Sequence, residues 1–165
     1  MPIANSHLFP LSLLLAADVL LIDRISKWLI LTHVARHEAI RIAPFFNITL
    51  VLNSGISFGM FADHYAPLVW ASLSAVIVGI LLVWLYRSRL RLVAVGLGLV
   101  IGGALGNVVD RLRFSAVVDF LDFHLGAWHW PAFNVADSAI CVGVAVLCVS
   151  GMLESSQRPT ESSRP

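Results

Sequence analysis

Charge is what this chain has least of. Only 13% of its 165 residues are Asp, Glu, Lys or Arg, and the two signs nearly cancel to a net +1. That leaves no basic face for nucleic acid and too few hydrated side chains to cover a soluble domain. Cysteine is scarce as well. Cys141 and Cys148 are seven residues apart in one apolar run, about two helical turns or roughly 10 Å, too far for a disulfide. They read as small apolar side chains. The N-terminus lacks the basic stretch and small-residue cleavage site of a removable signal peptide. Its apolar run is also too long for one, so it is expected to be a permanent span. No internal repeat or domain boundary is visible.

What the chain has in excess is apolar surface: 58% of residues are hydrophobic and the mean hydropathy is +0.85. A core of this size cannot bury that much, and the natural solvent is a bilayer. Four segments are long enough to cross about 30 Å of hydrocarbon: roughly 8–31, 66–86, 92–112 and 135–153. The expected fold is an all-α membrane protein of four transmembrane helices, a single domain over residues 1–153. Two outer loops fall at about 32–65 and 113–134. The first holds the β-rich run Phe46–Leu52, which predicts a strand or two. The second is dense in aromatics, which suits the headgroup zone. The polar tail 154–165 is expected to be disordered.

Arg87, Arg89 and Arg91 crowd the short connection between the second and third spans. Basic residues beside a span favour the cytoplasm, so both termini are expected inside. In that orientation seven of the ten carboxylates gather at or near the outer face: Asp23, Glu38, Asp63, Asp110, Asp119, Asp122 and Asp137. A transporter would spread its acids through the depth. Here only Asp18 lies deep, either facing the bundle interior or holding a proton there.

The ionisable residues form patterns. Asp23 and Lys27 are four apart on one helix face, in the favourable order for an ion pair. Gly98, Gly102 and Gly106 make a smooth face for helix contact. The pattern N-x-x-D occurs twice, as Asn107–Asp110 where the third span reaches the outer interface and as Asn134–Asp137 where the fourth leaves it. Between them Asp119 sits in Val-Val-Asp-Phe. Two carboxylates held close share a proton, so one can take a proton from water while the other donates to an amide oxygen. Such chemistry needs no metal, cofactor or covalent intermediate. Spacing alone does not choose two among Asp110, Asp119 and Asp137.

Two other chemistries have to be weighed. Gly55-Ile56-Ser57-Phe58-Gly59 matches G-x-S-x-G, but the nucleophile elbow needs a soluble strand–turn–helix that this chain lacks. No His lies well inside a span to activate Ser57. His33 and His37 are four apart, a spacing suited to zinc, yet without the H-E-x-x-H pattern. A tight outer turn with Asn53 and Gly55 near the site is the simpler reading.

Five stretches, in order, resemble the signal peptidase II family of bacterial inner-membrane aspartyl proteases. They are Asp23–Lys27, Asn53–Phe58, Gly102–Arg111, Val117–Phe120 and Pro131–Ala139. The resemblance implies removal of signal peptides from diacylglyceryl prolipoproteins, with the cut just before the lipidated cysteine. It implies Asp119 and Asp137 as the catalytic pair. It also implies Asp23, Lys27, Asn53, Gly55, Asn107, Asp110, Arg111 and Asn134 as supporting or substrate-contacting residues. The expected partners are the prolipoprotein and membrane lipids, with the chain a monomer and its site at the periplasmic face. Ile56 stands where the family usually has a smaller residue, and Asp18 is not part of its pattern.

Overall fold

The computed structural model describes residues 7–36, 38–54 and 66–156. Among the described residues there are four helices, α1 (Leu8–His33), α2 (Ala66–Arg87), α3 (Arg91–Phe114) and α4 (Val135–Ser156), and four strands, β1 (Ala39–Ala43), β2 (Phe46–Asn53), β3 (Val117–Leu125) and β4 (Trp128–His129). The helices follow the four apolar segments to within a few residues. α2, α3 and α4 are long and apolar enough to cross a membrane. α1 is longer, at 26 residues, but carries Asp18, Asp23, Arg24 and Lys27. α4 runs on through Glu154, Ser155 and Ser156, so the expected polar tail begins as helix.

The exterior is that of a membrane protein turned inside out relative to a soluble one. Leu14, Ile25, Trp28, Val69, Ile80 and Trp84 are exposed, while Asp23, Lys27, Asp110 and Asn134 are buried. Hydrocarbon accepts the apolar exterior, and the few ionisable groups must find partners inside.

α3 is the central helix. Its glycines let neighbouring backbones come close: a Cβ at Gly102 would stand 2.6 Å from the Ala16 carbonyl of α1. One at Gly106 would stand 2.7 Å from Asp23 Oδ2. The expected glycine face therefore packs on α1. Gly96 and Gly103 form a second face against α4, at Gly143 and Ala136. Val78, Leu85, Leu97 and Ile101 fill the space between α2 and α3.

The sheet is antiparallel, in the order β1-β2-β3-β4. The expected strand around residues 46–52 is β2. The second outer region is more ordered than a loop: it contains the nine-residue β3 at the middle of the sheet. Two aspartates within Val-Val-Asp-Phe-Leu-Asp disguise a run that is buried on both faces. Ser115, at φ 56°, turns the chain out of α3 and into that strand. A second small core, Ile30, Val34 and Phe120 with Ile48 and Leu50, seats the sheet on the end of α1.

Asp18 does not face the bundle interior; it lies on the exposed side of α1. Cys141 and Cys148 are free thiols on the exposed side of α4.

Candidate active site

Four elements converge where α1 and α3 end and α4 begins. The foundation is a buried ion cluster. Lys27 Nζ lies 3.0 Å from Asp23 Oδ2 and 2.7 Å from Asp110 Oδ2. Arg24 Nη2 lies 2.8 Å from Asp23 Oδ2 and 2.7 Å from Asp110 Oδ1. Two acids and two bases balance, and the side chains of Asp23, Asp110 and Lys27 are almost wholly buried. The remaining lone pairs accept from the backbone: Ala136 N–H donates to Asp23 Oδ1 at 3.1 Å, and Val118 N–H to Asp110 Oδ2 at 3.1 Å. The cluster thus ties α1 and α3 to the start of α4 and the start of β3. The Asp23–Lys27 pair was legible in its spacing. Arg24 points at the same two acids, and the signal for it in the sequence is its position next to Asp23 within an apolar helix.

Above the cluster lies a layer of amides. Lys27 Nζ donates to Asn107 Oδ1 at 3.1 Å, and Asn107 Nδ2 donates to Asp137 Oδ1 at 2.7 Å. Asn134 Nδ2 donates to Asp119 Oδ1 at 2.7 Å and to Asn107 Oδ1 at 3.3 Å. Asn53 Nδ2, at the end of β2, donates to Asp119 Oδ2 at 2.8 Å. Asn53 pairs with Val117 across the sheet, so Asp119 is its diagonal neighbour on the same face.

The two N-x-x-D patterns do different work. Asn134 caps α4: its Oδ1 accepts from the Asp137 N–H at 2.9 Å, and Asp137 Oδ2 accepts from the Asn134 N–H at 3.3 Å. This is a reciprocal capping box. Asn107 and Asp110 lie inside α3 and share Lys27, but Asn107 also reaches Asp137 while Asp110 pairs with Arg24. Phe133 places the cap against the sheet, because its carbonyl accepts from Phe120 N–H at 3.0 Å and Leu121 N–H at 2.8 Å.

Geometry separates the three candidate acids. Asp110 is held by Arg24, Lys27 and the Val118 N–H. Among the described residues Asp119 and Asp137 accept hydrogen bonds from amides and are linked through Asn134 and Asn107. Asp119 is 2% exposed. Burial pushes its carboxyl up to about 6, and the nearby Asp137 adds to the rise, while hydrogen bonds from Asn53 and Asn134 and the charge of Lys27 oppose it. Asp137 is half-buried and lines a groove of about 340 Å³ between α2, α3 and α4. Asn107 and Arg111 share its wall, with Ser74, Ile77, Val100, Ala104 and Ile140.

A larger cavity of about 440 Å³ lies at the β3–β4 hairpin, among Phe45, Phe123, His124, Leu125, Trp128 and Trp130, and among the described residues no carboxylate lines it. Beside it sits a cluster not anticipated from the sequence. Asp122 accepts from Asn47 Nδ2 at 2.9 Å and pairs with His129 Nδ1 at 2.7 Å. Burial works to raise the Asp122 carboxyl, but hydrogen bonds from His129 and Asn47 and the nearby histidines bring it below its ordinary value. The bonds span β2, β3 and β4. His124 stacks on His129 and His33 bonds Thr32. Gly55, Ser57, His37 and His64 lie outside the described residues.

A sequence model of the family described as signal peptidase (SPase) II matches residues 15–153. The chain belongs to the signal peptidase II family. It is similar to the lipoprotein signal peptidase of Yersinia enterocolitica, 41% identical over 87% of this chain and 88% of that one. The corresponding protein of Coxiella burnetii is 42% identical over 88% and 91% of the two chains. That of Burkholderia thailandensis is 47% identical over 78% and 80%. Two solved structures, both described as a bacterial membrane enzyme, share the fold with a TM-score of 0.79. One is 26% identical and covers 94% of this chain and 95% of its own, the other 27% over 92% and 95%. As a member of the signal peptidase II family, the chain is a multi-pass membrane peptidase.

Proposed function

We propose that this peptidase removes signal peptides from diacylglyceryl prolipoproteins by an aspartyl mechanism, cutting just before the lipidated cysteine. The observation that carries the reading is the bridge Asp119–Asn134–Asn107–Asp137, whose Asn107 and Asp137 line an inter-helix groove. The ionised member of the pair takes a proton from water, and the water oxygen attacks the scissile carbonyl carbon. The protonated member donates to the carbonyl oxygen, giving a tetrahedral diol. Its collapse breaks the C–N bond, the nitrogen takes a proton, and the products are a new carboxylate and the free α-amine of the lipidated cysteine. Asp119, with its raised pKa, is suited to hold the shared proton.

In this reading α1 is the fourth span. Its 26 residues extend about 39 Å at helical rise, and its Asp23, Arg24 and Lys27 are neutralised together with Asp110 of α3. Arg87, Arg89 and Arg91 then mark the cytoplasmic side, with both termini there. The dyad sits at the periplasmic face of the inner membrane, at headgroup depth. A diacylglyceryl anchor holds the scissile amide at that depth, and its acyl chains lie along the apolar part of the groove. Gly55 and Arg111 contribute to the peptide cradle.

The test is cleavage of a diacylglyceryl-modified prolipoprotein by purified protein in detergent, with EDTA present. Asp119→Asn and Asp137→Asn are each expected to lose activity by about 10²–10⁴-fold, while Ser57→Ala keeps it. An inactive Ser57→Ala beside a working Asp variant would overturn the mechanism.

A further inference from the structure

We propose that Lys27 is a positioning residue: it fixes which way the Asn107 amide points, and through that amide keeps Asp137 able to accept a proton from water. The proposal rests on the aspartyl reading above.

The argument is one of donors and acceptors. An ammonium group only donates, and Lys27 Nζ stands 3.1 Å from Asn107 Oδ1. Turning the amide over would set its NH₂ against the ammonium, donor against donor. Asn107 Oδ1 must therefore face Lys27, and Nδ2 must face the other way, where Asp137 Oδ1 lies at 2.7 Å. Lys27 is itself held by Asp23 and Asp110 and is 1% exposed. It does not line the groove, whereas Asn107 and Asp137 do.

Asn134 is oriented by a different device. The Asp137 backbone N–H donates to its Oδ1, which turns its Nδ2 toward Asp119. Each acid thus receives an amide whose direction an obligate donor enforces. For Asp119 that donor is backbone and survives any side-chain substitution. For Asp137 the nearer donor is Lys27 at 3.1 Å, with Asn134 Nδ2 second at 3.3 Å. Without the ammonium, Asn107 Oδ1 keeps only the longer bond from Asn134 Nδ2 at 3.3 Å, so the amide is held less firmly against Asp137. The Asp137 carboxylate then loses part of the donor that holds it in place for the water. The other charged groups toward Asp137 are Asp119 from β3 and Arg111 from α3, with Asp23 of α1 behind the Ala136 N–H. Ser74, not a charged group, comes from α2.

The test is the pH profile of prolipoprotein cleavage, with thermal unfolding alongside. In Lys27→Met the acidic limb is expected to move toward neutral pH by about one unit, the scale of one charge-assisted hydrogen bond. Asn107→Leu, which leaves Lys27 on its two acids, is expected to show the same movement. The combined variant should lose no more rate than Asn107→Leu alone. If Lys27→Met fails to fold, Asp23→Asn with Lys27→Met restores the cluster's charge balance, and that pair is compared instead. A lower unfolding temperature with an unmoved limb in Asn107→Leu, or losses that multiply in the combined variant, would overturn the proposal. Asp119→Asn and Asp137→Asn run in the same assay: activity in either removes the aspartyl reading itself, whereas two dead variants with an unmoved limb remove only the role of Lys27.

Discussion

Asn134 and Asp137 cap each other: the Asp137 N–H donates to Asn134 Oδ1 at 2.9 Å, and the Asn134 N–H donates to Asp137 Oδ2 at 3.3 Å. The bond that starts α4 therefore also fixes the carboxylate of Asp137. Because Asn134 Nδ2 reaches Asp119 at 2.7 Å, one residue sets the relation between the two acids.

Capping and bridging can be separated by Asn134→Ser. Serine caps a helix about as well as asparagine but is too short to reach Asp119. Stability is expected to stay within about 1 kcal/mol of wild type, while kcat falls at least tenfold. Thermal unfolding and cleavage rates on the same preparation check both.

The buried position of Asp119 has a pH consequence. Burial raises its carboxyl from 3.8 to about 6, so the proton is held through mildly acidic pH and lost above that value. As the proton donor of the proposed mechanism, it is expected to give kcat/KM an alkaline limb beginning near that value in the free enzyme. The same sign applies to stability. The native state binds this proton more tightly than the unfolded chain, so the contribution is full below the ordinary carboxyl range and fades as pH rises through the native pKa. The hydrogen bond from Asn53 opposes the rise. Asn53→Ala should therefore move the alkaline limb further up, by about one unit, and a limb that moves down would contradict this assignment.

Asp110→Asn removes one charge from a cluster that balances two against two. Lys27 and Arg24 are then left with Asp23 alone. Breaking a buried pair costs about 3–5 kcal/mol, so the unfolding temperature in detergent is expected to fall steeply, more than for Asp119→Asn. A change no larger than that of Asp119→Asn would show the cluster to be more hydrated than its burial indicates.

Gly106→Ala places a methyl group 2.7 Å from Asp23 Oδ2 and 3.2 Å from Ala136 Cβ. The carboxylate is gripped by Lys27, Arg24 and Ala136, so it cannot retreat cheaply. The expected cost is about 1–3 kcal/mol. Gly79→Ala in α2 meets nothing within 4 Å and should be neutral or stabilising by up to about 1 kcal/mol. Thermal unfolding of the two variants side by side gives the comparison.

Residue order alone determined the helices, because long apolar runs have few ways to satisfy their backbone in hydrocarbon. It also determined the Asp23–Lys27 pair, since i and i+4 share a helix face, and the small-residue face of α3. It singled out Asp119 and Asp137 through resemblance and left Asp110 their equal on spacing. Tertiary structure decided three things that local pattern could not. It made Val117–Leu125 a central strand, because partners on both sides bury a segment whose aspartates look like those of a loop. It sent Asp18 to the exposed side of α1, a direction that helical period leaves open until neighbours are placed. It gave Asp110 to Arg24 and Lys27 while setting Asp119 and Asp137 among amides. That last division depends on contacts between residues up to 113 positions apart, and a carboxylate's chemistry is set by the donors and charges that folding brings to it.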